Sequence, residues 1–273
     1  MIAHPDHSVN ATILLASASP RRRELIKLLG LPVDTTSVDI DEVPLPGEGA
    51  DEMAKRLSLE KARAVFGSSS LRAHPERMRN EVKQESKDAK QSPPFAPEIA
   101  SSHSSIPLRS IADAPRNDEL NLIILASDTV VSLDGEPLGK PRDAADARSM
   151  LRRLRGRVHQ VYTAITLIDL ASDRSITDLA CSDVPMRNYT DEEIEVYIAS
   201  GDPFDKAGAY AIQHTGFHPV ENFAQCYANV MGLPLCHVVG ALRQLGVEPL
   251  NDVPAACQSH LGYVCAVFEN ILK

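Results

Sequence analysis

Four places in the sequence put cations beside small polar residues: Ser17-Ala18-Ser19-Pro20-Arg21-Arg22-Arg23, then Lys61, Lys140 and Lys206. Arginine's planar fork matches phosphate oxygens, and the Ser17 and Ser19 hydroxyls add further hydrogen bonds. Two acidic residues stand out as partners, Glu42 and Asp128. A lysine standing alone reads as a solvated surface charge. Taken together, the set suggests a polyphosphate held by several cations, with a carboxylate to hold a divalent metal or activate water.

The elements around these residues can be read from periodicity. Ile13 to Ala16 is an apolar run that predicts a buried strand, and Pro20 starts a helix with Leu25, Leu28 and Leu29 inward and Gly30 as its stop. Ser19 suits its N-cap, and a strand feeding a helix start leaves backbone N–H groups pointing at one spot, which favours an anion. Three arginines in a first turn oppose the helix dipole, so they call for a ligand. Val33 to Val38 predicts a second strand, and Ala50 to Phe66 a helix carrying Lys61. Leu122 to Ala126 reads as a central strand ending in Ser127-Asp128-Thr129, which places Asp128 at a strand's carboxyl end, where open α/β sheets bind ligands.

Beyond Asp128, Asp134-Gly135 is a strong hairpin signal, followed by a helix from Ala144 to Arg155. Val158 to Leu170 and Ile176 to Arg187 predict two longer strands, and Thr190 with Glu193 a capping box for a helix reaching about Ser200. A last helix is expected from Leu233 to Leu245. Early alternation of strands and helices, then a meander, makes the class α/β with a mixed sheet.

Composition bounds the function classes. A net charge of −9 argues against a nucleic-acid coat but leaves room for a phosphate ligand held by local cations. No apolar run approaches membrane-spanning length, and Met1 to Asn10 is polar, without a signal segment, and expected to be flexible. The five cysteines form no Cys-x-x-Cys pair and are expected to be reduced thiols in a cytoplasmic protein. Gly67 to Glu119 holds serine clusters and few large apolar residues, so it is expected to be a disordered insertion in a domain running from 11 to 246. Residues 247 to 273 are expected to pack as a tail on that domain. Buried thiols are the better reading of Cys236, Cys257 and Cys265 than a zinc site. His159 reads as a structural histidine.

The stretch from Ser17 to Leu25 resembles the opening signature of the Maf family of nucleoside triphosphate pyrophosphatases. Ser127-Asp128-Thr129-Val130-Val131, Gly139-Lys140-Pro141, the run from Gly156 through His159 and Val161 to Thr163, Asp205 to Gln213, and Gly232-Leu233-Pro234-Leu235 are similar to its later motifs, in order. The likeness spans about Thr12 to Gly246, apart from the insertion. The sequence departs from the pattern at His214, where many relatives have glycine, and across Glu221 to Tyr227.

The resemblance implies an elongated mixed sheet flanked by helices with a central cleft, related in architecture to inosine triphosphate pyrophosphatases. It implies cleavage between the α- and β-phosphates, giving a nucleoside monophosphate and pyrophosphate. Asp128 matches the family's proton acceptor, and Arg21, Thr129 and Gln213 match positions tied to base choice. Ser17, Arg22, Glu42, Lys61, Lys140 and Lys206 match its polar cleft lining. Glu42 and Asp128 are the expected ligands of magnesium or manganese, since oxygen donors dominate. A pyrimidine triphosphate, dTTP or UTP, is the expected substrate. A 7-methyl-GTP pyrophosphatase and a low-turnover nucleotide-binding regulator of cell division are the alternatives. A homodimer is expected, with neither nucleic acid nor membrane as partner.

Overall fold

The computed structural model describes residues 11–67 and 121–273. The N-terminus expected to be flexible (1–10) and the insertion expected to be disordered lie outside the described residues, except that Gly67 closes a helix. A six-stranded sheet forms the centre, ordered β2-β1-β3-β5-β6 with β4 attached to β3. β1 (Ala11–Ala16) pairs parallel with β2 (Val33–Thr36) and β3 (Asn121–Leu133). β5 (Val158–Asp169) and β6 (Ser175–Pro185) continue it antiparallel, so the sheet is mixed.

β3 is where the sheet differs from the periodicity. A strand was expected over Leu122 to Ala126, ending in Ser127-Asp128-Thr129; instead it runs 13 residues, through Asp128 and on to Leu133. The reason lies in its partners. β1 stops pairing at Ala16, opposite Ala126, but β5 continues alongside β3 from Ile123 as far as Ser132. Asp128 therefore sits just past the end of a parallel neighbour while its own strand remains hydrogen-bonded on the other side. At the far end Asp134 and Gly135 both have positive φ (55° and 84°), the turn that reverses the chain into β4 (Glu136–Leu138). β2 is also shorter than the expected Val33 to Val38.

Two helices deliver residues to that spot. α1 (Pro20–Ile26) starts with proline at its first turn and tightens into a 3-10 turn, Lys27–Leu29, before Gly30 at φ 74°. Leu25, Ile26 and Leu29 bury against Ile13 and Leu15 of β1, and each such side chain contributes about 1.5–3 kcal/mol. α2 (Ala50–Gly67) packs Ala50, Met53, Ala54 and Leu57 against Val130 and Ala164. Its burial extends to Lys61.

A second apolar cluster joins the β3–β4 end of the sheet to α3 (Ala144–Leu154) and α4 (Asp191–Ala199), through Leu151, Leu154, Tyr189, Ile194 and Tyr197. The capping box expected at Thr190 and Glu193 is present. Short α5 (Tyr227–Val230) and α6 (Leu235–Gln244) cover the other core, and the C-terminal α7 (Val253–Leu261) and α8 (Phe268–Ile271) follow. Leu250 N–H donates to Leu29 O and Asn251 Nδ2 to Leu28 O, so the C-terminal segment takes up the carbonyls at the end of α1. Among the described residues, no helix is long and apolar enough to cross a membrane.

Candidate active site

Asp128 is buried within β3, and its Oδ1 accepts a 2.5 Å hydrogen bond from Lys61 Nζ. The same ammonium donates to Glu42 Oε1 at 2.6 Å, from the segment between β2 and α2. One lysine thus bridges two carboxylates, which brings them within about 5 Å of each other. Burial pushes the Glu42 carboxyl up, but the Lys61 hydrogen bond and charge, helped by Lys140 and Arg22, pull it net below its ordinary value. Lys140 is exposed, with Nζ 3.9 Å from Glu42 Oε2.

Arg22 grips both neighbours of Asp128. Its Nη1 donates to Ser127 O (2.8 Å), its Nη2 to Thr129 Oγ1 (2.9 Å) and its Nε to Gly232 O (2.8 Å). Burial pulls this guanidinium below its ordinary pKa, partly offset by the charge of Asp128. Thr129 is also committed. Thr163 spends its one proton on Asn229 O, so in the 3.0 Å contact between the two hydroxyls Thr129 is the donor.

Lys206 stands opposite in the cleft, held in the same manner. Its Nζ donates to Asp202 O (2.6 Å), Asp202 Oδ1 (3.0 Å) and Asp205 Oδ1 (2.6 Å). Gly208 follows with φ 71°, where a Cβ would lie 3.0 Å from Val131 Cγ1, and its N–H donates to Gly139 O beside Lys140. Only glycine allows this close approach.

These groups line a cleft and the recess that shares its wall. Asp128, Thr129, Val131, Val161, Tyr210 and Met231 lie in the inner part, and Ser17 in the outer. Ser19, Arg21, Arg22, Glu42, Lys61, Lys140, Lys206 and Gln213 line both. One end is thus cationic and hydroxylic, and the other has an apolar wall. The family model described as Maf-like protein matches residues 12–245. The chain belongs to the Maf-like family.

Curated relatives of this Maf-like chain include the dTTP/UTP pyrophosphatase of Geobacter sp. (strain M21), 37% identical over 87% of this chain and 97% of that one. The dTTP/UTP pyrophosphatase of Chromobacterium violaceum is 39% identical over 88% and 98%. Among solved structures, the chain is similar to the Staphylococcus aureus Ham1 protein at TM-score 0.36 and 13% identity, over 78% of this chain and 80% of that chain.

Every site residue expected from the Maf-like sequence lies on the cleft, but not all in the expected attitude. The Arg22 and Thr129 side chains bond to each other and to the frame. Ser17 Oγ accepts from Ser19 N–H at 3.2 Å, and the Ser19 hydroxyl makes no capping bond with α1. Arg21 lines the cleft and keeps a buried Nε without a hydrogen-bond partner. His159 is wholly buried with Nε2 2.8 Å from the Tyr210 hydroxyl, a structural placement behind the cleft.

Asp202, which holds Lys206, was not expected at the site; Asp205, which also holds it, and Gly232, whose carbonyl anchors Arg22, were expected only as motif residues without a role. The spacing of Asp202 and Lys206, one helical turn apart, was the available signal for the first. Among the described residues, no group of three or more His, Cys, Asp or Glu side chains could hold a metal alone. Glu42 and Asp128 are oxygen donors of the type a magnesium-like ion takes, one or two carboxylates with water and substrate phosphate, and here Lys61 Nζ bridges the pair.

Proposed function

We propose that this chain hydrolyses nucleoside triphosphates, dTTP and UTP above others, to the nucleoside monophosphate and pyrophosphate. The observation that carries the reading is a buried carboxylate, Asp128, in a cleft ringed by Arg21, Lys61, Lys140 and Lys206. The names of its curated relatives support the same substrate class.

In this reading the triphosphate lies along the cationic end. A phosphoanhydride resists attack because its anionic oxygens repel nucleophiles, and fixed cations offset that charge as it shifts in the transition state. Lys140, Lys206 and Arg21 grip phosphate oxygens, with Ser17 and Ser19 beside them. Asp128 orients the attacking water and takes its proton, and Lys61 holds the carboxylate in place. Glu42 and Asp128 would hold a magnesium or manganese ion, which would neutralise phosphate charge when bound. Gln213 offers a donor and an acceptor to the O4 and N3–H edge shared by thymine and uracil. A base without those groups leaves the glutamine's polar atoms unpaired, which is the basis of rejection.

The test is a nucleotide panel of UTP, dTTP, CTP, GTP and 7-methyl-GTP with magnesium, the products read by phosphorus NMR. Pyrophosphate from UTP and dTTP is the expected result. Orthophosphate release overturns the bond assignment, a purine preference transfers the chain to the 7-methyl-GTP type, and binding without turnover makes it a nucleotide-binding regulator. Asp128→Asn is expected to lower kcat by about 10²–10⁴-fold with the fold intact.

A further inference from the structure

Two residues of the cleft lining, Lys206 and Gln213, are joined by a side chain that no step above uses. The Tyr197 hydroxyl, on α4 and buried, donates to Asp202 Oδ2 at 2.7 Å and accepts from the Ala211 N–H at 3.0 Å. Asp202 holds Lys206 through its other carboxylate oxygen and its carbonyl. Ala211 opens the tripeptide that ends in Gln213. A continuous path of hydrogen bonds therefore runs from the Lys206 ammonium through Asp202 and Tyr197 to the backbone carrying Gln213.

The ring is fixed independently of its hydroxyl. It stacks on Phe217 at 4.3 Å and 11°, and meets the His214 edge at 4.7 Å and 62°. His214 Nδ1 in turn accepts from the Phe217 N–H at 2.9 Å. The histidine found where many relatives have glycine is thus part of the staple on this loop. Burial, then the bond to Asp202, raises the Tyr197 pKa far above the ordinary phenol value, so the hydroxyl keeps its proton and its donor role.

We propose that Tyr197 is a positioning residue that sets the distance between the phosphate-gripping Lys206 and the base-reading Gln213. The proposal rests on the pyrophosphatase reading for what the two residues bind. Phosphate binding at Lys206 draws on the same Asp202 that orients Tyr197, so occupation at Lys206 is felt at Gln213. Discrimination between uracil and cytosine then depends on a group that touches neither.

Tyr197→Phe deletes the hydroxyl and keeps the stacked ring, and Asp202→Asn breaks the path one bond earlier. Amide hydrogen exchange is measured with and without inorganic pyrophosphate, and steady-state kinetics with UTP and CTP. In wild type, pyrophosphate is expected to slow exchange at Ala211, Ile212 and Gln213; in either variant that response is lost. The KM for UTP is expected to rise about tenfold, the scale of one hydrogen bond, with kcat little changed and the preference for UTP over CTP reduced. An unchanged exchange response in both variants overturns the proposal, as does an equal loss on every nucleotide. A wild type that responds to pyrophosphate but cleaves no nucleotide overturns the pyrophosphatase reading alone, since the exchange response needs no turnover.

Discussion

Arg22 shows what one guanidinium does when its donors turn inward. Three of its N–H groups hold Ser127 O, Thr129 Oγ1 and Gly232 O, each at 2.8–2.9 Å. A lysine's donors all radiate from one nitrogen and cannot reproduce the spread of a planar fork over these three separate acceptors. Arg22→Lys is expected to keep the fold while lowering kcat/KM by about 10²-fold, the scale of a misplaced reacting group. Steady-state kinetics with a melting curve check this, and an unchanged kcat/KM removes Arg22 from the positioning of Asp128. The type and place of Arg22 were legible in the sequence, but its inward attitude was not, because its acceptors lie more than a hundred residues away. His159 offers a second residue-level test. Burial lowers its pKa to about 4, countered in part by Asp183. The fold keeps the ring neutral while the unfolded chain takes up a proton below about pH 6.5. Stability should therefore hold above that pH and fall as the pH drops toward 4, by roughly 3 kcal/mol over the whole window. Urea unfolding of wild type and His159→Asn from pH 4 to 7.5 measures the difference, and equal slopes exclude the histidine as its source.

At the scale of elements, β3 carries the main lesson. Its apolar run predicted a strand that Asp128 closes; Asp128 instead lies within β3, which continues to Leu133 because β5 keeps pairing with it, and the strand whose carboxyl end it adjoins is β1. Local composition cannot report such a continuation; it depends on a partner some forty residues on. The helix of α1 was legible from Pro20, and its 3-10 ending was not, since the Asn251 side chain that packs at Gly30 comes from the far end of the chain. The Gly232 loop, which closes on α1 and β3, yields the test at this scale. Gly232 has φ 100°, and a Cβ there would lie 3.1 Å from both Arg22 Nε and Thr129 Oγ1. Gly232→Ala is expected to cost about 1–3 kcal/mol in backbone strain and to reduce activity with it. A variant with wild-type stability and rate shows that the loop can move without consequence.

Across the whole molecule, the C-terminal segment supports the same site from behind. Asn251 bonds to Leu28 O, and Val253, Cys257 and Leu261 pack on the core beneath α1. Asn251→Ala is expected to cost about 1 kcal/mol, or a few degrees in Tm, with kcat retained. A calorimetric scan checks this, and no change in Tm makes the bond to Leu28 O dispensable. The two lysine clamps have a consequence for turnover. Lys61 rests between Glu42 and Asp128, and Lys206 between Asp202 and Asp205, so the resting cleft already holds anions of its own. These carboxylates are tethered and thus present at high effective concentration, competing with any phosphate that enters. On the pyrophosphatase reading, a triphosphate spanning several cations at once can displace Asp202 and Asp205 from Lys206, while Lys61 keeps its hold on Asp128. Each product, once the bridge between its halves is cut, spans fewer. The tethered carboxylates then close on Lys206 and shorten the residence time of what remains, so the enzyme carries its own agent of product release.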